Sequence, residues 1–401
     1  MKSEFLRALP VIEELEKNGY EAYFVGGSVR DLLLGREIRD VDIATSAPPE
    51  EIERIFPKTA DVGAAHGTIL VLMEGEPFEV TTFRTESAYE NFRRPENVQF
   101  VTSLTEDLKR RDFTINAIAM DKNGNLYDYF HGREALSLKL IQTVGSPEER
   151  FSEDALRMLR ALRFSSQLQF SLSEDTLEAI CKLSGLLKHI SVERKLSEFD
   201  KLLSGKSAVP ALHLLRDTGL IDYMPGLAMP SNRMDQFLAR TLPASFGTAQ
   251  RWALLLFDLH PEEPEKFLKQ WKKPGKTMKE ILNILFFLNE RLKKSWNEEL
   301  LYKADEKTVF YTESICSSQP DWKSSIGPEE AVRRYRDLNI HSRNDLRING
   351  DDLVCLAKKD PGPWIASALT KIEEEVLAGR LANSAKDIER WFLQWSNRAE
   401  M

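Results

Sequence analysis

A chain of 401 residues with a formal charge of −8 and charged residues making up 29% of it, both signs mixed, is too long for one ordinary core. Two to four domains of a soluble, cytoplasmic protein are expected. Three distant cysteines (Cys181, Cys316, Cys355) without a Cys-x-x-Cys, and six scattered histidines, speak against a disulfide framework or a structural zinc site. The acidic N-terminal stretch lacks the basic and apolar regions of a signal peptide, and no run approaches the ~18 apolar residues of a membrane span.

The first part of the chain alternates helical and strand patterns. A helix over 9–18 is closed by Gly19, and a strand runs over 22–25. A short helix over 29–34 ends at Gly35, and a strand covers 41–44. A helix begins at Pro48 with Ser46 as its cap. Strands over 68–73 and 78–83 pair around Glu74-Gly75-Glu76-Pro77, and a hairpin joins 116–120 to 126–129 through Asp121-Lys122-Asn123-Gly124. From Pro147 onward strand signals nearly vanish. Helical periodicity marks 156–168, 176–187, 192–203, 211–218, 251–259, 276–292 and most of the C-terminal part. The expected fold class is α+β: a mixed-sheet head followed by helical modules, with boundaries at 1–145, 146–205, 206–320 and 321–401.

The chemistry begins at Gly26-Gly27-Ser28-Val29-Arg30-Asp31, where a glycine pair ahead of a helix offers backbone amides to phosphate. Arg39-Asp40-Val41-Asp42 follows. Residues at i and i+2 of a strand share a face, so Asp40 and Asp42 should project together. Such a pair repels itself unless a cation intervenes, and Mg²⁺ bound with substrate phosphates is the usual solution. Glu79, alternating with Phe78 and Val80, is a candidate third carboxylate that takes the proton of an attacking hydroxyl or orients metal water. Its alternative is an exposed strand acid. In Lys109-Arg110-Arg111-Asp112, Arg111 is favoured over Arg110 as the cation balancing a triphosphate, with Asp112 as its orienting partner.

Within Arg150 to Phe164, Ser152 caps a helix with acids in its first turn, Asp154 and Arg157 share one face of it, and Arg160 and Arg163 continue an arginine stripe. Leu156, Leu159, Leu162 and Phe164 form the opposite, buried side. A carboxylate accepts from an exocyclic amino group while a guanidinium beside it donates to the adjacent ring nitrogen. Cytosine and adenine both offer that pair, whereas uracil and guanine present it reversed. Farther on, six lysines between Lys266 and Lys279 surround Trp271, either as a solvated helix end or as a contact to an RNA backbone.

The set Gly-Gly-Ser-Val-Arg-Asp, Asp-Val-Asp, Arg-Arg-Asp-Phe-Thr-Ile-Asn-Ala and Glu-Asp-Ala-Leu-Arg-Met-Leu-Arg-Ala-Leu-Arg-Phe resembles the class II CCA-adding enzymes, the bacterial tRNA nucleotidyltransferases, particularly those of bacilli. The resemblance spans nearly the whole chain. It implies a polymerase-beta-like head with helical neck, body and tail. It also implies sequential transfer of C, C and A from CTP and ATP to the tRNA 3′ end, with release of pyrophosphate. By position, Gly27 and Arg30 would contact the nucleotide and Asp40 and Asp42 would bind Mg²⁺. Arg111, Asp154, Arg157, Arg160 and Arg163 would line the nucleotide pocket, and the protein would be a homodimer binding tRNA through its body and tail.

Poly(A) polymerases and A-adding enzymes share this head. CC-adding enzymes lack a flexible loop that Arg84 to Asn97 is expected to supply here. A noncatalytic tRNA-binding protein would have no reason to keep the repulsive Asp40 and Asp42. A small-molecule nucleotidyltransferase would not need so long a helical remainder.

Overall fold

The computed structural model describes residues 2–64, 67–90, 94–228, 231–322 and 325–398. The chain divides into two compact units, Met1–Pro230 with Lys269–Lys272, and Ser231–Leu268 with Lys273–Met401.

The first unit is built on a seven-stranded sheet of order β3-β4-β5-β2-β1-β8-β9. The strands are β1 (Ala22–Val25), β2 (Asp42–Thr45), β3 (Thr59–Gly63), β4 (Thr68–Met73), β5 (Glu76–Thr82), β8 (Ala119–Met120) and β9 (Leu126–Tyr127), with a separate hairpin of β6 (Arg84–Glu90) and β7 (Arg94–Phe100). Only β2 and β5 run parallel among the paired neighbours of the sheet. The β4–β5 turn holds Glu74 at φ 53° and Gly75 at φ 89°, the left-handed pair that a two-residue hairpin turn requires. Along β5, Phe78, Val80 and Thr82 are buried, which turns Glu79 and Thr81 to the other face. The register Ile43↔Val80 then sets Asp42 beside Glu79 on neighbouring strands.

Helices α1 (Ser3–Lys17), α2 (Gly27–Leu33), α3 (Pro49–Ile55), α4 (Leu104–Lys109) and α5 (Gly132–Leu138) accompany the sheet. They are followed by α6 (Pro147–Glu153), α7 (Leu156–Leu168), α8 (Glu174–Leu183), α9 (Val192–Leu203) and α10 (Ala208–Asp217).

Several local expectations are corrected. Ser46 does not cap α3, because its hydroxyl accepts the Glu21 amide at 2.9 Å. The strand expected over 116–120 is reduced to Ala119–Met120, with a single tight turn over Thr114–Asn116. The segment expected as a loop over 84–97 is an antiparallel ladder running from Arg84↔Phe100 to Glu90↔Arg94, and residues 91–93 lie outside the described ones. The helix expected from Ser152 through Phe164 is interrupted, since α6 ends at Glu153 and α7 begins at Leu156, so Asp154 and Arg157 do not share a helix face. Ser146, not Ser152, caps α6, and the backbone turns extended at Asp154, with φ −137° and ψ 102°. The cause is local: Asp154 Oδ1 accepts the Leu156 amide at 3.0 Å, the competing bond by which an aspartate interrupts a helix.

Trp271 is fully buried and stacks on Phe199 of α9 at 5.0 Å, while Lys272 pairs with Glu193 at 2.5 Å. Within the second unit, Lys273 is buried over the Trp252 ring at 4.3 Å and Lys266 pairs with Glu263. Trp271 is therefore a core residue, and the lysine run is partly spent inside the protein.

The second unit is helical throughout its described residues: α11 (Ser231–Leu238), α12 (Thr248–Leu259), α13 (Pro264–Gln270, whose last residues fall in the first unit), α14 (Gly275–Lys293), α15 (Glu298–Lys303) and α16 (Glu306–Ser318). Then come α17 (Pro328–Arg336), α18 (Gly350–Ala357), α19 (Trp364–Leu377) and α20 (Ala385–Arg398). Its buried Glu313 accepts from Arg291, Trp296 Nε1, Ser325 and the Ile326 amide, so the enclosed charge is fully paired. No described helix is long and apolar enough to cross a membrane.

Where the chain leaves α9 it passes directly over α7. A Cβ at Gly205 would stand 2.0 Å from Ser166 Oγ and 2.7 Å from the Ser166 carbonyl carbon. Gly205→Ala must push the two segments apart and should cost about 1–3 kcal/mol, read from chemical denaturation.

Candidate active site

The site is a cleft of about 1010 Å³ in the first unit. At one end β1 runs into Gly26, whose φ of 73° suits glycine. Space is tight there as well, because a Cβ would lie 3.1 Å from Arg111 Nη1, which would have to give by a few tenths of an ångström, and 3.7 Å from Asp42 Oδ2. Gly27, the glycine singled out from the sequence, meets only an ordinary contact with Arg30. Helix α2 has seven residues, so what it offers an anion is a few free amides rather than a long dipole. The charge comes from Arg30, held by Asp31 at 3.0 Å and by Asn116 Oδ1 at 2.7 Å.

Strand β2 begins at Asp42, and Asp40 precedes it, exposed. Burial pushes the Asp42 carboxyl upward, and neighbouring Glu79 and Asp40 add to this against the opposing charge of Arg111. A carboxylate crowded by two others is one short of a cation. Among the described residues no three metal-ligating side chains converge into an all-protein cage. Mg²⁺ in phosphoryl-transfer sites needs only one or two carboxylates, with water and phosphate completing the shell, so the donor set fits such an ion.

Arg111 is not oriented by Asp112, as expected from their adjacency. It pairs with Asp107 at 3.2 Å, and Arg110 takes the other oxygen of the same carboxylate at 2.7 Å. Asp107 stands three and four residues ahead on α4 and its end, the spacing that brings side chains together on a helix. Asp112 turns the other way. Its Oδ1 accepts from Asn116 and its Oδ2 accepts from Arg160 Nε at 2.7 Å. Burial raises the Asp112 carboxyl, but the Arg160 charge, the hydrogen bonds from Asn116 and Arg160, and the Arg157 charge outweigh it and hold it well below the carboxylate range.

On α7, Arg157 binds Glu153 Oε2 at 2.5 Å and the Arg110 carbonyl at 3.1 Å. Arg163 lies 3.2 Å from Glu198 Oε2, and burial lowers it to about 10. Phe164 does not sit on the face away from the arginines. Its ring lies beneath the guanidiniums of Arg163, Arg30 and Arg160 at 4.1, 5.2 and 5.6 Å. Asp154 Oδ2 accepts from Arg194 of α9 at 2.7 Å.

The cleft thus brings together Gly27, Arg30, Asp42, Glu79, Arg111, Asp154, Arg157, Arg160 and Arg163, whereas Asp40, expected to share a strand face with Asp42, lies outside β2 and is not among the lining residues. Arg110, set second to Arg111 from the sequence, also lines it, as do Asn116, Arg194 and Lys201, which were not anticipated. Of these only Arg110 carried a legible signal, its spacing from Asp107. Nine cationic side chains line the cleft against four carboxylates, so a chain of net negative charge concentrates a positive field where an anion would enter.

The chain matches the family profile of the poly A polymerase head domain over residues 22–142, of an RNA and SrmB- binding site of polymerase A over 169–229, and of tRNA nucleotidyltransferase domain 2 over 247–392. A head of this class, with carboxylates on adjacent strands and a cationic cleft, is that of a nucleotidyltransferase. The chain is 50% identical to the CCA-adding enzyme of Bacillus licheniformis over 98% of both sequences, and 46% identical to that of Geobacillus stearothermophilus over 100% of this chain and 99% of the other. The crystal structure of the Bacillus stearothermophilus CCA-adding enzyme in complex with CTP superposes with a TM-score of 0.91 at 44% identity, covering 100% of this chain and 99% of that one. The chain belongs to the family of bacterial CCA-adding enzymes, the CCA tRNA nucleotidyltransferases.

The low value of Asp112 makes stability depend on pH. A carboxyl depressed on folding contributes stability that is fully present above its unfolded value of about 4 and is lost as pH falls toward the folded value. Asp112→Asn should therefore be markedly less stable than the parent at pH 7, and the gap should close below about pH 4, measured by denaturant unfolding across that range.

Proposed function

We propose that the cleft carries out template-independent addition of C, C and A to the tRNA 3′ end, with CTP and ATP as donors. The observation that carries this reading is the position of Asp42 and Glu79 on neighbouring strands, in the same cleft that Asp154 and Arg157 both line. Gly26 and Gly27 present amides, and Arg30 and Arg111 present charge, to the triphosphate. Asp40 and Asp42 would hold Mg²⁺, which when bound activates the attacking hydroxyl and stabilises the leaving pyrophosphate. Glu79, exposed beside Asp42, would take the proton of the tRNA 3′-hydroxyl as it attacks the α-phosphorus.

Asp154 accepts from the exocyclic amino group of cytosine or adenine and Arg157 donates to the adjacent ring nitrogen. A uracil or guanine would leave both groups unpaired in a closed pocket. Arg160 and Arg163, fastened to Asp112 and Glu198, shape the pocket wall and lend it positive charge. In this assignment residues 1–145 act on phosphate and 146–205 read the base. Residues 206–320 and 321–401 hold the tRNA of a cytoplasmic homodimer, an assembly that rests on the family resemblance.

Incubation with tRNAs lacking one, two or three terminal nucleotides, with CTP or ATP supplied separately, distinguishes full CCA addition from A-only and poly(A) activity. Asp42→Ala should lower turnover on the order of 1,000-fold or more while tRNA binding persists in gel-shift titration. Asp154→Ala should reduce discrimination against UTP and GTP by about 100-fold or more with a smaller loss of rate on CTP. Single-nucleotide competition assays provide the readout.

A further inference from the structure

The carboxylates stand at a division of the cleft floor. In sheet order, Gly26 follows β1, Asp42 begins β2, Glu79 and Thr81 lie on β5, and Thr68 opens β4. The Gly26 side holds Arg30 and Arg111, where a triphosphate belongs. Beyond Glu79 the floor turns neutral. Thr81 shares its face of β5, Thr68 is its cross-strand partner, and Gly63 and Val62 follow on β3, Val62 being 55% exposed. The Thr68 and Thr81 hydroxyls lie 3.1 Å apart and both line the cleft. Cross-strand threonine pairs stabilise sheets generally, but few stand two residues from the acid that receives the attacking proton.

In-line displacement puts the attacking oxygen opposite the leaving pyrophosphate. With the cations on the β1 side, the attacking ribose must arrive over β5 and β4. We propose that Thr81 and Thr68 form the subsite for that ribose and bind the 2′-hydroxyl next to the attacking 3′-hydroxyl. One threonine donates to the other, and among the described residues neither hydroxyl has another partner, so the pair keeps one hydrogen and lone pairs for a ligand in the cleft. A 2′-hydroxyl, which both donates and accepts, matches that remainder and distinguishes an RNA end from a DNA end.

The inference rests on the carboxylate assignment above, and the two fail separately. A tRNA lacking only its terminal A is prepared with a ribose or a 2′-deoxyribose terminal cytidine, and single-turnover A addition is measured. The parent protein should be about fivefold to tenfold slower on the deoxy end. Thr81→Val and Thr68→Val, isosteric and suited to strands, should be slowed similarly on the ribose end, be nearly indifferent to the 2′-hydroxyl, and keep the KM for ATP. A deoxy penalty unchanged in both variants, absent in the parent, or replaced by a raised KM for ATP overturns the proposal. Retained addition by Asp42→Ala would instead overturn the carboxylate assignment.

Discussion

Everything in the cleft depends on neutralising one enclosed carboxylate. Asp112 follows α4, and Arg160 of α7 supplies the full charge bonded to it. Leaving such a group unpaired costs about 3–5 kcal/mol, so α7 is pinned against the head by electrostatics as much as by packing. Asn116 carries the same constraint outward to Arg30, and Glu198 carries it back from Arg160 and Arg163 to α9. The distance between the groups that handle phosphate and those that read the base is therefore set by a chain of charged contacts.

Such a chain explains why so many arginines line one cleft without tearing it open. Seven of the eight that line it have a fixed carboxylate counterpart: Asp31 for Arg30, Asp107 for Arg110 and Arg111, Glu153 for Arg157, Asp112 for Arg160, Glu198 for Arg163, and Asp154 for Arg194. A guanidinium has five donors, and one carboxylate rarely uses them all. The remainder is available to a triphosphate or a base, and the side chain is already ordered when that ligand arrives.

The α+β division, most helices and the carboxylate strand were legible because they follow from periodicity and from residues close in sequence. The Glu74-Gly75 turn announced its hairpin by composition, and Glu79 was visible from alternation along β5. Its position beside Asp42 was not, since that depends on a parallel register between strands far apart in sequence. The break at Asp154 was missed because helical periodicity continues through it, while one side-chain bond to the Leu156 amide overrides the pattern. Arg111 was assigned the wrong partner because adjacency in sequence is a poor guide once Asp112 is claimed by α7. Arg194 gave no signal at all: nothing local distinguishes an arginine on α9 that reaches the next helix hairpin from one facing water.

Trp271 has a consequence for how this polypeptide can be divided. Its ring covers Phe199, yet it reaches that position only after α11 and α12 have been made. The N-terminal unit has no clean edge in the chain, because its last structural piece is delivered by a later excursion. Synthesised from one end, it would emerge from the ribosome with an aromatic face still bare. The unit that holds the cleft is thus not a contiguous stretch of chain to which helices were appended. It matures only when the chain returns to it.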